Sequence, residues 1–520
     1  LPSETTEQLF ERYGARYRWL ATVTVMLGTV SAVLTTTTVN VAIADIMGAF
    51  GIGQDRAQWL STGALAATTV AMLANAWLVR RFGQRRTFVG VLALFIVSLI
   101  LAAMSPNEEV LILARLMQGA VAGVLQPLSM YTLFRVFPPE RRGSAMGLFG
   151  MAVVLAPALG PTLGGVLIDS FNWRALFYMP IPLSIAAMLL GSLFMPGPED
   201  DARRSSFDWA GFALLSVGIG CLLTGLSNGQ REGWGSDLVV GMFWLAAFGI
   251  AGFVVWELNV PQPLVELRVL ANGQFASAAW VAGLFGAGLF GSVYLVPLFV
   301  QTIQGFTPIA AGLVLMPAGL LLGALLPVAG YVSDHVPARW LIMAGLGCFA
   351  LSAWWMSELD AGTSFWTLAW WIAVSRVGLA LIKPSLNVAA LRALPSSQLS
   401  QGAGMINFFR QLGGAFGVNL LSVTLDVRTH VHSESLVALQ TGANSTTMEL
   451  LRVMRGVLAQ AGLAADQQAA GALHFLGRMV HAQAQTLGFR DSFLLVAVVF
   501  AIGLIPAWIM GRERPAPAST

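Results

Sequence analysis

Apolar residues follow one another along this chain in long, nearly unbroken runs, separated by short polar stretches. A helix needs about 20 consecutive, mainly apolar residues to cross the hydrocarbon core of a bilayer. Fourteen runs meet that length, near 19–44, 57–79, 87–105, 110–133, 144–168, 175–195, 209–227, 238–256, 275–302, 309–332, 340–357, 365–391, 402–425 and 492–511. Most connections are short and carry turn chemistry, such as Pro138-Pro139 and Asn272-Gly273. A transmembrane barrel would show alternating ten-residue segments instead. The first run follows an amphipathic stretch (Phe10, Tyr13, Tyr17) and ends without a small-residue cleavage site, so it reads as a retained span. The expected fold is an all-α, polytopic membrane protein.

Composition agrees. Charged residues make up 11% of the 520 positions and hydrophobic ones 56%, with a mean hydropathy of +0.72. So few charges cannot solvate a soluble globule of this size, which excludes a cytosolic enzyme or a nucleic-acid binder. Cys221 and Cys348 lie far apart in apolar runs and suggest neither a disulfide framework nor a zinc site.

Arginines set the expected orientation. With the N-terminus in the cytoplasm, the cytoplasmic ends hold Arg12, Arg16 and Arg18; Arg80, Arg81, Arg85 and Arg86; Arg135, Arg141 and Arg142; Arg203 and Arg204; Arg268; Arg339; Arg392; and Arg512 and Arg514. The short loops opposite hold only Arg56, Arg174 and Arg231. The positive-inside rule then puts both termini in the cytoplasm. The long connection 426–491 falls on the outer face. Its spacing of Leu450, Leu451, Met454, Val457 and Leu458 predicts helix, read either as a hairpin lying on the membrane surface or as a docking surface for an extracytoplasmic partner.

The chain also repeats itself. Ala76–Arg86 (AWLVRRFGQRR) aligns with Gly330–Arg339 (GYVSDHVPAR) at an offset of 254, so Arg80 corresponds to Asp334. Phe137–Gly147 aligns with Leu394–Gly404 at an offset of 257, which also relates Pro127 to Pro384 and Gln126 to Lys383. Such duplication predicts two six-helix bundles around a midplane cavity. The domains are then a cytoplasmic segment 1–18, an N-terminal bundle 19–195, an inserted helix pair with its loops 196–274, a C-terminal bundle 275–511 and a tail 512–520.

These residues resemble the major facilitator superfamily. The first loop resembles its signature G-x-x-x-D-R-x-G-R-R, Arg115-Leu-Met-Gln118-Gly119 its R-x-x-Q-G motif, and Ala156–Gly165 (APALGPTLGG) the antiporter motif G-P-x-x-G-G. Asn172-Trp173-Arg174-Ala-Leu-Phe177, with Pro180 and Pro182, resembles W-R-W-x-F…N-x-P. With fourteen spans and Asn407–Gly414 (NFFRQLGG), the chain is similar to the fourteen-span drug/proton antiporter family, in its EmrB/FarB-type branch. The resemblance implies a multidrug efflux transporter of the bacterial inner membrane. It would work by proton-coupled alternating access with a periplasmic adaptor and an outer-membrane channel, and without a cofactor.

A charge at the bilayer centre costs at least about 2.5–3.5 kcal/mol, so intramembrane charges are the sharpest pointers to function. Arg115, Arg376, Lys383 (the only lysine) and Arg410 stand out. Lys383 reads either as snorkelling to the interface or as lining a cavity that attracts an acidic headgroup. Thr35, Asn40, Gln118, Asn387, Met405, Asn407 and Phe408 complete the candidate cavity. Many members of the resembled family carry an acid where Thr35 stands, and threonine cannot exchange a proton. Asp45, Asp426 and Asp491, at span ends, are the remaining proton-coupling candidates, with Arg115 as a relay. Gate candidates are Arg81, Gly83, Arg85 and Arg86 in the first loop, Asp334 and Arg339 in its repeat, and Pro157, Gly160, Pro161, Gly164 and Gly165 as a hinge or seal.

Buried bases and no buried acid predict neutral or weakly acidic lipophiles as substrates. A stand-alone exporter, for example of fatty acids, and a non-transporting membrane receptor are the alternatives. The histidines His335, His430, His432, His474 and His481 form no metal motif, and no phosphate-binding loop is present.

Overall fold

The computed structural model describes residues 4–197 and 206–510. Arg203, Arg204, Arg512 and Arg514 lie outside the described residues, as do the side chains of Asn40, Pro157 and Pro161.

Helices occupy each of the fourteen expected places. The short α1 (Thr6–Tyr13) is closed by a capping box at Thr5 and folds back onto α2 (Tyr17–Val41), with the Phe10 and Tyr17 rings 4.9 Å apart. Helices α3 (Ile43–Phe50) and α4 (Gln54–Ala57) lead into α5 (Trp59–Ala103), which holds two of the expected spans. They meet at Gly83, whose φ of 78° is open to glycine and costly for other residues. The first bundle continues with α6 (Glu108–Val136), α7 (Arg142–Ser170), α8 (Ala175–Tyr178) and α9 (Pro180–Phe194). The inserted pair is α10 (Trp209–Glu232) and α11 (Asp237–Asn259). The second bundle holds α12 (Gly273–Thr302), α13 (Pro308–His335), α14 (Ala338–Met356), α15 (Phe365–Arg392) and α16 (Leu399–Ala438). It ends with α17 (Ser445–Gln460), α18 (Ala465–Ile502) and α19 (Leu504–Ile509). Among the described residues, eleven helical stretches are long and apolar enough to cross a membrane, α5 counting as one.

Within each bundle, small residues let backbones touch. A Cβ on Gly119 or Gly123 would meet the carbonyls of Ala64 and Thr68 at 2.2 and 2.3 Å, and Gly378 packs equally closely on Gly345. Without a hydrophobic driving force between helices in lipid, such close contact is what holds spans together. Between bundles, α7 packs along α13 and α5 along α16. The inserted pair packs on α5 and reaches α16 through its exit loop.

The segment 426–491 departs from the surface-lying hairpin. Helix α16 runs on to Ala438, and α18 begins at Ala465, well before the last apolar run. At 1.5 Å per residue the 40 residues of α16 span about 60 Å, roughly twice the hydrocarbon core. The two helices therefore project beyond the bundle, with the apolar side of α17 against α18. Asp491 fastens them: it accepts from Arg428 Nε at 2.5 Å and lies 2.7 Å from His432 Nε2. Gly488 lets α18 press onto Thr429 and the Leu425 carbonyl. Hydropathy falls where a helix leaves the membrane, but the hydrogen-bond ladder continues.

Candidate functional site

Four of the eleven cavity candidates converge at the bundle interface. Lys383 and Asn387 come from α15, and Asn407 and Arg410 from α16. Gln126 of α6 and Phe149 and Val153 of α7 face them from the first bundle, and Ala282, Phe285, Leu386 and Ile406 close the walls. The space between is a narrow cavity with room for little more than a water molecule in this closed state. Pro127 and Pro384, one residue past Gln126 and Lys383, remove a backbone donor from each helix at the level of the cavity.

The electrostatics are unusual for a membrane interior. Lys383 is only 6% exposed, and its Nζ donates to the Gly150 carbonyl at 3.4 Å. Arg410 Nη2 donates to Gln126 Oε1 at 2.8 Å and Asn407 Oδ1 at 3.1 Å, and Asn407 in turn donates to the Ala403 carbonyl. No acid lines the cavity among the described residues. Two cationic side chains thus sit side by side against neutral oxygens alone.

Other cavity candidates lie elsewhere. Arg115 is buried inside the first bundle, where its Nε donates to the Leu60 carbonyl and its Nη1 to Gln118 Oε1, while Gln118 donates to the Ser98 carbonyl. This is a clasp between α5 and α6, away from the cavity lining. Arg376 plays a similar part in the second bundle, donating to Ser292 Oγ of α12 at 3.1 Å. Thr35 is buried and turned back on the Ser31 carbonyl, Met405 is fully packed, and Phe408 stacks edge-on with Phe409. The proton-coupling candidates also stay outside: Asp45 is exposed on α3, Asp426 is exposed beside His430, and Asp491 ties down the outer extension.

The gate candidates divide the same way. Asp334, at the arginine-rich end of α13, reaches across to the start of α7. It accepts the Gly143 N–H at 2.6 Å, the Ser144 N–H at 2.9 Å and the Ser144 hydroxyl at 2.5 Å. The first turn of α7 has no cap of its own, so a carboxylate from the other bundle satisfies its donors and complements its dipole. Gly143 and Gly147 make this approach possible, since a Cβ on Gly147 would lie 2.4 Å from the Leu326 carbonyl. At the repeat-related seam, Arg80 stands where Asp334 stands, and α16 starts without a side-chain cap. There Asn75 donates to Ser400 Oγ, and Glu266 of the inserted pair's exit loop accepts from Gln398 Nε2 at 2.9 Å while its charge acts on Arg80.

Arg85 caps the end of α9 by donating to the Met195 carbonyl at 2.7 Å, and Arg81 and Arg86 are exposed. Arg339 lies over the rings of Trp340 and Trp508. Gly160 and Gly164 face Thr37 and Thr38 of α2, within the first bundle, and Gly165 faces open space. The seam between bundles is therefore built by the other end of α7, at Gly143, Gly147 and Gly150. The offset of 257 already relates Gln126 to Lys383, whereas the apolar wall residues carry no mark that separates them from ordinary core.

The chain is similar to known proteins in sequence and fold. The Major Facilitator Superfamily model matches residues 25–418. Multidrug export protein EmrB of Haemophilus influenzae is 29% identical over 94% of this chain and 95% of its own length. Fatty acid resistance protein FarB of Neisseria gonorrhoeae is 28% identical over 95% and 96%. The solved structure of the proton:xylose symporter XylE covers 96% of each chain with a TM-score of 0.61 at 12% identity, a likeness of fold. The chain is a multi-pass membrane transporter and belongs to the major facilitator superfamily.

Proposed function

We propose that the protein is a multidrug efflux transporter of the bacterial inner membrane that exports lipophilic, neutral or weakly acidic compounds, with both termini in the cytoplasm. The observation that carries this reading is the pair Lys383 and Arg410, buried at the bundle interface against neutral oxygens with no acid in the lining. A carboxylate or phenolate entering the cavity satisfies charges that the protein leaves uncompensated. The apolar walls receive the rest of the molecule. The names of the relatives EmrB and FarB, a multidrug export and a fatty acid resistance protein, support the same substrate class.

Proton-coupled antiport by alternating access completes the reading. Asp334 and the glycines of α7 hold the arginine-rich end shut in the state described. The test is transport in proteoliposomes with decanoate and an imposed pH gradient. Gradient-dependent export with proton counterflow is expected. Decanoate movement without counterflow overturns the antiport, and no movement overturns the substrate class.

The outer extension supports a periplasmic adaptor and, through it, an outer-membrane channel. It exposes Leu439, Met448, Val457, Leu473 and Met479, an apolar surface for a partner. Serine at these positions should spare transport in proteoliposomes and abolish resistance in cells. Resistance left intact would make the protein a stand-alone exporter.

A further inference from the structure

Both cations of the cavity come from the second bundle, and both spend a hydrogen bond on the first. Lys383 donates to the Gly150 carbonyl of α7, and Arg410 to the Gln126 side chain of α6. These acceptors are neutral, and Gln126 is 9% exposed with its amide oxygen directed at the guanidinium. A guanidinium has only donors, so the orientation of that amide is fixed by chemistry. A neutral acceptor is the weaker partner for a buried cation; a carboxylate adds the attraction of an ion pair and can bond the guanidinium through both oxygens.

We propose that Gln126 is a specificity-determining residue: its amide oxygen is a neutral placeholder for the substrate's anionic group, which displaces it from Arg410. This rests on the anion-accepting cavity of the preceding section and adds how the cavity chooses. Being neutral, Gln126 leaves the net charge of the site positive, so anions are admitted and cations refused. Being on the opposite bundle, it converts binding into release, because a ligand that captures Arg410 and Lys383 removes two hydrogen bonds joining the bundles at the cavity. The repeat places Gln126 opposite Lys383 as its counterpart, one position carrying the neutral acceptor and the other the cation. A glutamate at 126 would supply the missing counter-charge from within.

The test is equilibrium binding to the purified full chain of two probes of equal chain length, decanoate and decyltrimethylammonium. Wild type is expected to bind decanoate and refuse the cation. Gln126→Glu should weaken decanoate at least tenfold and let the cation bind. Gln126→Leu, which removes the competing acceptor without adding charge, should bind decanoate as tightly as wild type or a few-fold more tightly. Gln126→Glu that binds decanoate like wild type overturns the proposal, and so does Gln126→Leu that loses decanoate tenfold. Should Gln126→Glu fail to fold, the Gln126→Leu result decides alone by the same criterion. Wild type that binds no decanoate instead refutes the anion-accepting cavity itself, so the two failures are distinguishable.

Discussion

Replacing Asp334 with asparagine keeps the size of the side chain and removes its charge. In the closed arrangement this carboxylate accepts three hydrogen bonds from the first turn of α7, at 2.6, 2.9 and 2.5 Å. Asparagine can still accept with one oxygen, but its amide end turns a donor toward a donor. The loss of a charge at a helix N-terminus is worth about 0.3–2 kcal/mol, and each lost charge-assisted hydrogen bond adds roughly 1 kcal/mol in a half-buried setting. With one such bond lost, about 1.3–3 kcal/mol leaves the closed state, which multiplies the open population by roughly 10–150. Hydrogen exchange of the Gly143 and Ser144 amides reads this directly, because they have no partner within α7 and are held by Asp334 while the seam is shut. The expected result is exchange faster by that factor, with the middle of α6 unchanged as an internal control. Unchanged protection would refute a cross-bundle cap and leave Asp334 as a surface acid.

Further outcomes follow from other contacts. Gly147→Val places side-chain atoms where a Cβ already lies 2.4 Å from the Leu326 carbonyl, so it should force α7 from α13 and abolish transport while the protein still inserts. Transport at half the wild-type rate or better would contradict the close seam. Glu266→Ala should open the α5–α16 seam about fivefold, read by thiol labelling of a cysteine at Ala282 from the arginine-rich side. Arg80→Asp in that background should restore closure, since it recreates at this seam the acid that Asp334 supplies at the other. Failure of the rescue would refute that equivalence. Asp491→Ala should speed hydrogen exchange in 426–438 at least tenfold while leaving decanoate binding unchanged; unaltered exchange would mean that helix packing alone holds the outer extension.

The fold was legible because run length answers a single question, whether a helix can cross a bilayer, and the spans from α2 to α15 follow from it with modest shifts at their ends. The continuation of α16 to Ala438 was not, because a helix in water needs no apolar run; only α17 left a periodic trace, at Leu450 and Met454. At the site, the residue types were legible and their directions were not. Arg115 and Lys383 are both buried cations in apolar helices, yet one clasps the Leu60 carbonyl inside its bundle and the other faces the interface. One sequence states that a charge is buried without stating which helix it meets. The role of Asp334 at the start of α7 was hidden for the same reason, since its partners lie about 190 residues away in the chain. Gln126 was within reach through the repeat, which paired it with Lys383 before any coordinates.

Paired dissociation constants test the cavity's preference for anions most directly. Decanoate and decanol share an apolar chain and differ in the group that meets Lys383 and Arg410. Wild type should bind decanoate at least tenfold more tightly than decanol, and Lys383→Gln should erase most of that difference while leaving decanol nearly unchanged, since a hydrogen bond between charged groups is worth about 1.5–3 kcal/mol. Equal affinities for the two in wild type, or a decanoate preference that survives Lys383→Gln, would contradict it.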